Sequence, residues 1–179
     1  QERISQGGDP KVEIMVPLVS LEGELALVLG WIRQELNNSP IPIPVGTMVE
    51  TPRAALIAGD LAKHIDFISF GTNDLTQMTF GFSRDDVEVS VINEYIEKEL
   101  LEKSPFETLD IGGVGQLITT AINQSKQVNP DIKIGICGEH GGDPASIRFL
   151  VDAGVDYVSC SPPRIPIARL ISSQILLDS

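Results

Sequence analysis

The sequence contains few of the residues that build disulfide-linked or zinc-stabilised scaffolds. Its 179 residues include two cysteines, two histidines and one tryptophan. Cys137 and Cys160 lie far apart and form no C-x-x-C pair, which argues against a disulfide framework and favours a reducing compartment. We therefore expect a cytoplasmic protein, or a plastid protein if the source is a plant. No apolar run approaches the length of about 18 residues that a membrane span requires, so we expect no membrane association.

Basic residues are also scarce. Lysine and arginine total 13 against 25 aspartates and glutamates, which gives a net charge of −12 at pH 7. Residues 84–110 alone hold nine acidic and three basic side chains, and they supply half of this charge. Such a field repels nucleic acid and anionic lipid, so we expect neither as a partner. We interpret this region as solvated and predict an acidic helix over residues 91–102.

Five short apolar runs predict buried strands, at residues 12–19, 41–49, 67–70, 132–137 and 157–160. Each run is apolar almost throughout, which is typical of parallel strands covered on both faces. Helical patterns lie between the runs, so we predict one α/β domain with right-handed crossovers. Five strands do not close a barrel, and the pattern alone also permits an open parallel sheet.

Several helices are predicted from caps and apolar stripes. Thr51-Pro52 and Asp143-Pro144 each combine a capping side chain with a first-turn proline, and the first pair predicts a helix through Leu61. Stripes at helical spacing predict further helices at residues 21–36, 114–122 and 167–177. The longest interval, 75–110, interrupts this alternation, and inserts of that length after a strand are usually lids or interface loops.

Two carboxylates follow neighbouring predicted strands. Glu50 ends one strand and Asp74 follows the next. Carboxylates at the ends of adjacent strands share a rim of the sheet and suit magnesium, which takes its remaining ligands from water and substrate. The alternative interpretation is that each carboxylate caps a helix or pairs with an arginine.

The residues before Asp74 offer hydrogen-bond donors to a ligand. Gly71 permits close approach to the backbone, while Thr72 and Asn73 supply hydroxyl, amide and backbone groups. Donors of this kind suit a carboxylate or a phosphate. The same residue types also favour an ordinary turn after a strand, which is the alternative.

A thiol ends the fourth predicted strand. Cys137 lies in G-I-C-G-E-H-G-G, and because a free thiol has a pKa of about 8.5, it is protonated at neutral pH and can donate a proton to carbon. The alternative is a small buried hydrophobe, which suits Cys160 better. Glu139 and His140 follow the thiol and either tune it or hold the loop. Tyr157 begins the next strand, where it either supports the thiol or acts as a strand aromatic.

These motifs together resemble a known family. The strings G-T-M-V-E-T-P-R, F-I-S-F-G-T-N-D, G-I-C-G-E-H-G-G-D-P and Y-V-S-C-S-P-P-R are similar to the C-terminal domain of the pyruvate, phosphate dikinase family of phosphoenolpyruvate-utilising enzymes. The resemblance covers nearly all of residues 12–170. Phosphoenolpyruvate synthase and enzyme I of the sugar phosphotransferase system share the strand-end glutamate and G-T-N-D-like motifs and are alternatives. A non-catalytic fragment that binds a keto acid and magnesium is a third.

The resemblance implies a fold and a chemistry. The fold is a (β/α)₈ TIM barrel, of which these strands are the fourth to eighth, and residues 1–179 are a partial barrel from a larger multidomain enzyme. Magnesium is held by Glu50 and Asp74, and Cys137 is the proton donor, supported by Tyr157. Phosphoenolpyruvate or pyruvate is bound by Glu50, Gly71, Thr72, Asn73 and Asp74.

The implied reaction transfers a phosphoryl group between a phosphohistidine and pyruvate. The phosphohistidine domain, the ATP-binding domain and the arginines of the earlier strands have no counterpart in this sequence. We therefore expect an isolated chain to be inactive. The family also pairs through this domain, which implies a homodimer.

Overall fold

Five parallel strands form one sheet in the computed structural model, which describes residues 2–87 and 90–178. The strands follow chain order, and each pairs with the next. They are β1 (Ile14–Val16), β2 (Val45–Val49), β3 (Phe67–Gly71), β4 (Lys133–Cys137) and β5 (Tyr157–Val158). The predicted α/β fold with five parallel strands is confirmed.

Three strands are shorter than predicted by two residues or more, and β4 lacks the first residue of its predicted run. The runs at 12–19 and 41–49 contain prolines, which lack the N–H group that a ladder needs. β1 ends before Pro17, and β2 begins directly after Pro44. β5 at the sheet edge covers only the first two residues of the predicted run 157–160.

Helices fill most of the intervals between strands, and most of the predicted ones are present. Both predicted caps are confirmed: Thr51 accepts a hydrogen bond from the Ala54 N–H at 3.0 Å, and Asp143 accepts one from the Ser146 N–H at 2.8 Å. The helices are α1 (Glu2–Ser5), α2 (Glu22–Leu36), α3 (Pro52–Leu56), α4 (Ala58–Ala62), α5 (Thr72–Phe80), α6 (Arg84–Val87), α7 (Val91–Glu97), α8 (Gln116–Val128), α9 (Pro144–Asp152) and α10 (Ile165–Asp178).

The helix predictions were wrong in three places. The helix expected from Thr51 through Leu61 is divided into α3 and α4, because Ile57 has non-helical dihedral angles of φ −115° and ψ 20°. α7 ends at Glu97 rather than at residue 102, and Glu99 nearby has a φ of +57°. α5 was not predicted, although it carries part of the candidate site. Two residues of the acidic region, 88 and 89, lie outside the described residues.

The two faces of the sheet differ in chemistry. Because side chains alternate along a strand, Ile68 and Phe70 of β3 and Ile134 and Ile136 of β4 share one face. All four are fully buried in the core. The opposite face carries polar and small residues together with Phe67, and register pairs Ser69 with Gly135 and Gly71 with Cys137 on it.

The sheet curves around this second face. Glu13, just before β1, forms an ion pair at 3.1 Å with Lys133 of β4. The two strands are three positions apart, which corresponds to about 14 Å in a flat sheet. The ion pair therefore indicates that the sheet is an arc, with the second face on its concave side and with β1 and β5 at its open edges.

Glycine is required where β2 and β3 meet. A Cβ atom at Gly46 would collide with the carbonyl oxygen and ring of Phe67 on the neighbouring strand. We expect Gly46→Ala to lower the free energy of unfolding by about 1–3 kcal/mol, the usual cost of overpacking. Denaturant titration measures it.

The matched control is Gly30→Ala in α2. Nothing lies within 4 Å of a Cβ atom at this exposed helical position, so the same substitution should stabilise the chain by about 0.5–1 kcal/mol. Equal effects at the two sites would contradict the packing described for β2 and β3.

Candidate active site

The three reactive groups predicted from the sequence lie at the carboxyl edge of the sheet. Glu50 directly follows β2, Cys137 ends β4, and Asp74 lies in the first turn of α5, which begins where β3 ends. Gly71 at the end of β3 pairs in register with Cys137. The structure therefore brings both carboxylates and the thiol to one rim.

Glu50 is held in a buried position. Glu50 is only 5% exposed, and its Oε1 accepts a hydrogen bond from the Leu18 N–H at 2.7 Å. Leu18 follows β1 and has a φ of +53°, a left-handed conformation that is strained for leucine. A Cβ atom at Gly71 would lie 2.8 Å from the Glu50 Oε2, so only glycine leaves room for this carboxylate.

The two carboxylates interact. Burial raises the pKa of Glu50, the hydrogen bond from Leu18 opposes that rise, and the charge of Asp74 and a hydrogen bond to it raise the pKa further. Asp74 is half-buried and also accepts a hydrogen bond from the Gln77 side chain at 3.2 Å. The site therefore concentrates negative charge that a cation would neutralise.

The thiol faces both carboxylates. Burial raises the pKa of Cys137, a hydrogen bond with the Ser69 hydroxyl lowers it, and the charges of Glu50 and Asp74 raise it further. Its Sγ lies 3.6 Å from the carbonyl oxygen of Phe70. These influences keep Cys137 protonated at neutral pH, which suits a proton donor.

Ser69 was missed in the sequence analysis. Ser69 is 3% exposed, and its hydroxyl lowers the pKa of both Cys137 and Tyr157. The Tyr157 ring lies over Gly135, where any Cβ atom would collide with it. Alternation along F-I-S-F-G places Ser69 on the same face as Gly71, and this signal was sufficient to find it.

Tyr157 contacts a charged pair on its other side. The Lys133 ammonium lies 4.8 Å from the ring centroid and forms the ion pair with Glu13 described above. Burial raises the pKa of the Tyr157 hydroxyl, while Ser69 and the Lys133 charge lower it. Ser69 thus acts on both the Tyr157 hydroxyl and the Cys137 thiol.

The side chains of Thr72 and Asn73 form hydrogen bonds with other residues of the protein. Thr72 is fully buried, and its Oγ1 lies 3.1 Å from the carbonyl oxygen of Cys137 and 2.8 Å from Nδ1 of His140. Asn73 accepts a hydrogen bond from the Glu139 N–H at 3.3 Å. Both residues remain at the start of α5, but these side-chain groups hold the loop after Cys137.

Glu139 and His140 hold the same loop. The Glu139 carboxylate pairs with Arg164 at 3.5 Å. His140 is fully buried, with its second ring nitrogen 2.9 Å from the carbonyl oxygen of Pro105. Of the two roles considered in the sequence analysis, these contacts fit holding the loop.

The carboxylates of Glu50 and Asp74 fit magnesium as an incomplete set of ligands. Within residues 2–87 and 90–178, no group of three or more histidine, cysteine, aspartate or glutamate residues is arranged to hold a metal. Glu50 and Asp74 offer two carboxylates with mutually unfavourable charge. Magnesium accepts such an incomplete set because it keeps water ligands and binds substrate oxygens.

Comparisons with known proteins identify the family of the chain. Residues 2–177 match the family described as PEP-utilising enzyme, PEP-binding domain, and the chain belongs to this family. It is 50% identical over 179 residues to pyruvate, phosphate dikinase 1, chloroplastic, of Oryza sativa subsp. japonica, and 52% identical over 171 residues to its Arabidopsis thaliana namesake. These alignments cover 97% and 92% of this chain, but 19% and 18% of the relatives, so the chain spans about a fifth of their length.

A solved structure supports the fold. A citrate lyase of Burkholderia xenovorans LB400 superposes with a TM-score of 0.58 at 18% identity, over 90% of this chain and 48% of the other. The resemblance inferred from the motifs is confirmed at the level of family and fold. Among the helices of the described residues, none is long and apolar enough to span a membrane.

The electrostatics of the rim predict opposite effects of two substitutions on Cys137. Glu50→Gln removes a negative charge and should lower the pKa of the thiol, whereas Ser69→Ala removes a stabilising hydrogen bond and should raise it. We expect alkylation of Cys137 by iodoacetamide at neutral pH to become about threefold faster and threefold slower, respectively, equivalent to about 0.7 kcal/mol of local electrostatics.

The measurement is best made in a Cys160→Ala background, so that one thiol reacts. Glu22→Gln is the matched control, because Glu22 pairs with His64 away from the rim. A slower reaction in Glu50→Gln would show that the carboxylate does not act on the sulfur.

Proposed function

We propose that this chain is the C-terminal, pyruvate-binding part of a pyruvate, phosphate dikinase. The observation that carries the proposal is the convergence of Glu50, Asp74 and Cys137 on one rim. It is supported by about 50% identity to dikinases from several plants over almost the whole chain. The reaction is magnesium-dependent phosphoryl transfer between a phosphohistidine and pyruvate, and it interconverts pyruvate and phosphoenolpyruvate.

Cys137 transfers the proton by which the methyl group of pyruvate differs from the methylene group of phosphoenolpyruvate. When phosphoenolpyruvate gives its phosphoryl group to a histidine nitrogen, the P–O bond breaks and its electrons remain as the enolate of pyruvate. The methylene carbon then takes the proton of the Cys137 thiol and becomes a methyl group. In the reverse direction the thiolate removes a methyl proton, and the enolate oxygen attacks the phosphohistidine.

Ser69 and Tyr157 return the proton to the thiolate. The Ser69 hydroxyl lowers the pKa of both Cys137 and Tyr157, and Tyr157 is half-buried. A proton passes from Ser69 to the sulfur and is replaced from the Tyr157 hydroxyl, which exchanges with solvent. The raised pKa of Cys137 ensures that the thiol is restored to its protonated form.

Glu50 and Asp74 hold the magnesium ion. When bound, the ion supplies positive charge where negative charge develops on the substrate oxygen. Gly71 leaves room for the Glu50 carboxylate at the rim. α5 begins without a side-chain cap, so the backbone N–H groups of its first turn, at Thr72 and Asn73, suit the substrate carboxylate.

The remaining partners lie outside this chain. The phosphoryl group arrives on the phosphohistidine domain of a longer protein, in which another domain uses ATP, and the complete enzyme is a homodimer. It works in the cytoplasm or in a plastid. An isolated chain of these residues retains half of the substrate site and does not turn over.

Cys137→Ala tests the proton donor directly. In the complete enzyme, exchange of the pyruvate methyl protons with deuterated water should fall by a factor of about 10²–10⁴, the usual contribution of general acid–base catalysis. Pyruvate and magnesium should still bind by calorimetry, since the carboxylates remain.

Cys160→Ala is the matched control. Cys160 packs beside Ile147, Ala168 and Ile175, away from the carboxylates, and its removal should leave exchange unchanged. Undiminished exchange in Cys137→Ala would remove the assigned role.

Magnesium should stabilise the chain through Glu50. Because the pKa of Glu50 is raised in the folded chain, the stability it contributes exists below its unfolded pKa and is lost as pH rises through the folded pKa. At neutral pH a divalent cation offsets this loss, and magnesium at ten times its Kd should add about 1.4 kcal/mol to the free energy of unfolding.

Thermal denaturation with and without magnesium measures the gain. Glu50→Gln and Asp74→Asn should each abolish it, while Glu94→Gln, which removes an exposed partner of Lys98, should preserve it. Equal stabilisation of all four proteins would place the cation elsewhere.

A further inference from the structure

His140 is a fully buried histidine to which the proposed reaction assigns no step. Both of its ring nitrogens have partners. Nε2 lies 2.9 Å from the carbonyl oxygen of Pro105, and Nδ1 lies 2.8 Å from the Thr72 Oγ1. Because a carbonyl oxygen only accepts hydrogen bonds, Nε2 carries a hydrogen.

The state of the imidazole determines where the Thr72 hydroxyl points. Burial lowers the pKa of His140, and the positive charge of Arg84 lowers it further. The hydrogen bond with the Pro105 carbonyl and the charges of Asp143 and Glu139 act in the opposite direction. In the neutral ring Nδ1 is an acceptor, so it competes with the carbonyl oxygen of Cys137 for the single hydroxyl hydrogen of Thr72.

That same hydroxyl oxygen lies 3.1 Å from the carbonyl oxygen of Cys137. Thr72 has one hydrogen for two acceptors, so His140 and the Cys137 peptide are joined through a single side chain. The next residue, Gly138, has a φ of +121°, and a Cβ atom there would meet the Thr72 Oγ1 at 2.5 Å. The peptide that carries the thiol is therefore packed directly against this junction.

Pro105, on the other side of His140 from Thr72, is also held in place. Pro105 belongs to segment 104–109, near the end of the long insert after α5, in which Pro105, Phe106 and Leu109 are buried. The Leu109 N–H in this segment donates to the Ser146 Oγ at 2.9 Å, and Arg84 of the insert lies 5.8 Å from the Phe106 ring centroid. Segment 104–109 thus contacts both the insert and the loop that follows Cys137.

We propose that His140 is a positioning residue that sets, through Thr72, how firmly the Cys137 peptide is held, and that it links segment 104–109 to the thiol. The catalytic part of this assignment rests on the proposed function, since it takes Cys137 as the proton donor. The positioning part concerns only this chain. It requires the contact of Nδ1 with Thr72 in particular, whereas a merely structural histidine needs only to fill its space.

Two substitutions separate the contacts of the ring. His140→Asn places a carboxamide near Nδ1, where its oxygen accepts from Thr72, and gives up the contact with Pro105. His140→Gln places its amide nitrogen near Nε2, where it donates to Pro105, and gives up the contact with Thr72. Thr72→Val removes the hydroxyl that contacts His140, and Thr72→Ser keeps it. His64→Gln, at the other histidine of the sequence, is the control.

The first readout is the pH profile of Cys137 alkylation by iodoacetamide, in a Cys160→Ala background. Loss of the Thr72 hydroxyl frees the thiol peptide and exposes the sulfur, so Thr72→Val should react at least about threefold faster at neutral pH. His140→Gln leaves the hydroxyl hydrogen wholly to the Cys137 carbonyl, so it should react about threefold slower. His140→Asn, Thr72→Ser and His64→Gln should stay near the wild-type rate. The double variant of His140→Gln and Thr72→Val should react as Thr72→Val does, because without the hydroxyl the ring has nothing to compete for.

The second readout is methyl-proton exchange in the complete enzyme. His140→Gln should lower kcat about tenfold or more with KM for pyruvate unchanged, because a misplaced donor affects the chemical step and not binding. If the wild-type enzyme exchanges no methyl proton, the proposed function fails, and the alkylation series still decides the role of His140.

Identical alkylation profiles for His140→Asn and His140→Gln would overturn the proposal, because they would show that the Thr72 contact has no special importance. An unchanged profile in Thr72→Val would do the same. If His140→Gln does not fold, the comparison of Thr72→Val with Thr72→Ser decides the question alone.

Discussion

The mutual repulsion of Glu50 and Asp74 beside a thiol is the constraint on which the site depends. Two carboxylates at this rim, one of them buried, are unfavourable in a chain that binds nothing between them. Burial is the main reason that the pKa of Glu50 is raised, and the charge of Asp74 raises it further. Burial and the two negative charges together keep Cys137 protonated, so one arrangement prepares both a cation site and a proton donor.

The fold creates this arrangement by bringing strand ends together and keeping the space between them open. Parallel strands in chain order deliver Glu50, Asp74 and Cys137 to a single rim, and glycine at position 71 leaves room beside the carboxylate. Gly135 admits the Tyr157 ring onto the concave face. Any larger residue at either position would displace a group that the proposed chemistry needs.

Much of the fold followed from the sequence, because its strongest signals are local. The apolar runs and the Thr51 cap are read from neighbouring residues, and both proved correct apart from strand ends at Pro17 and Pro44. α5 was missed because G-T-N-D also suits a turn, and nothing in those residues reveals that Thr72 begins a helix.

The side-chain partners were harder to predict, because they depend on contacts between distant segments. The sequence offered no indication that Leu18 adopts a left-handed conformation and donates to Glu50, since these residues are 32 positions apart. Nor did it indicate that His140 reaches Pro105. Ser69, in contrast, could have been predicted from the alternation of side chains along β3.

The most direct test of the central claim is anomalous diffraction from crystals soaked with manganese and pyruvate. Manganese substitutes for magnesium and identifies itself by its anomalous signal. The account predicts a peak coordinated by both Glu50 and Asp74, with the pyruvate methyl carbon between the metal and the Cys137 sulfur. A peak that contacts neither carboxylate, or a pyruvate whose methyl group points away from that sulfur, would contradict it.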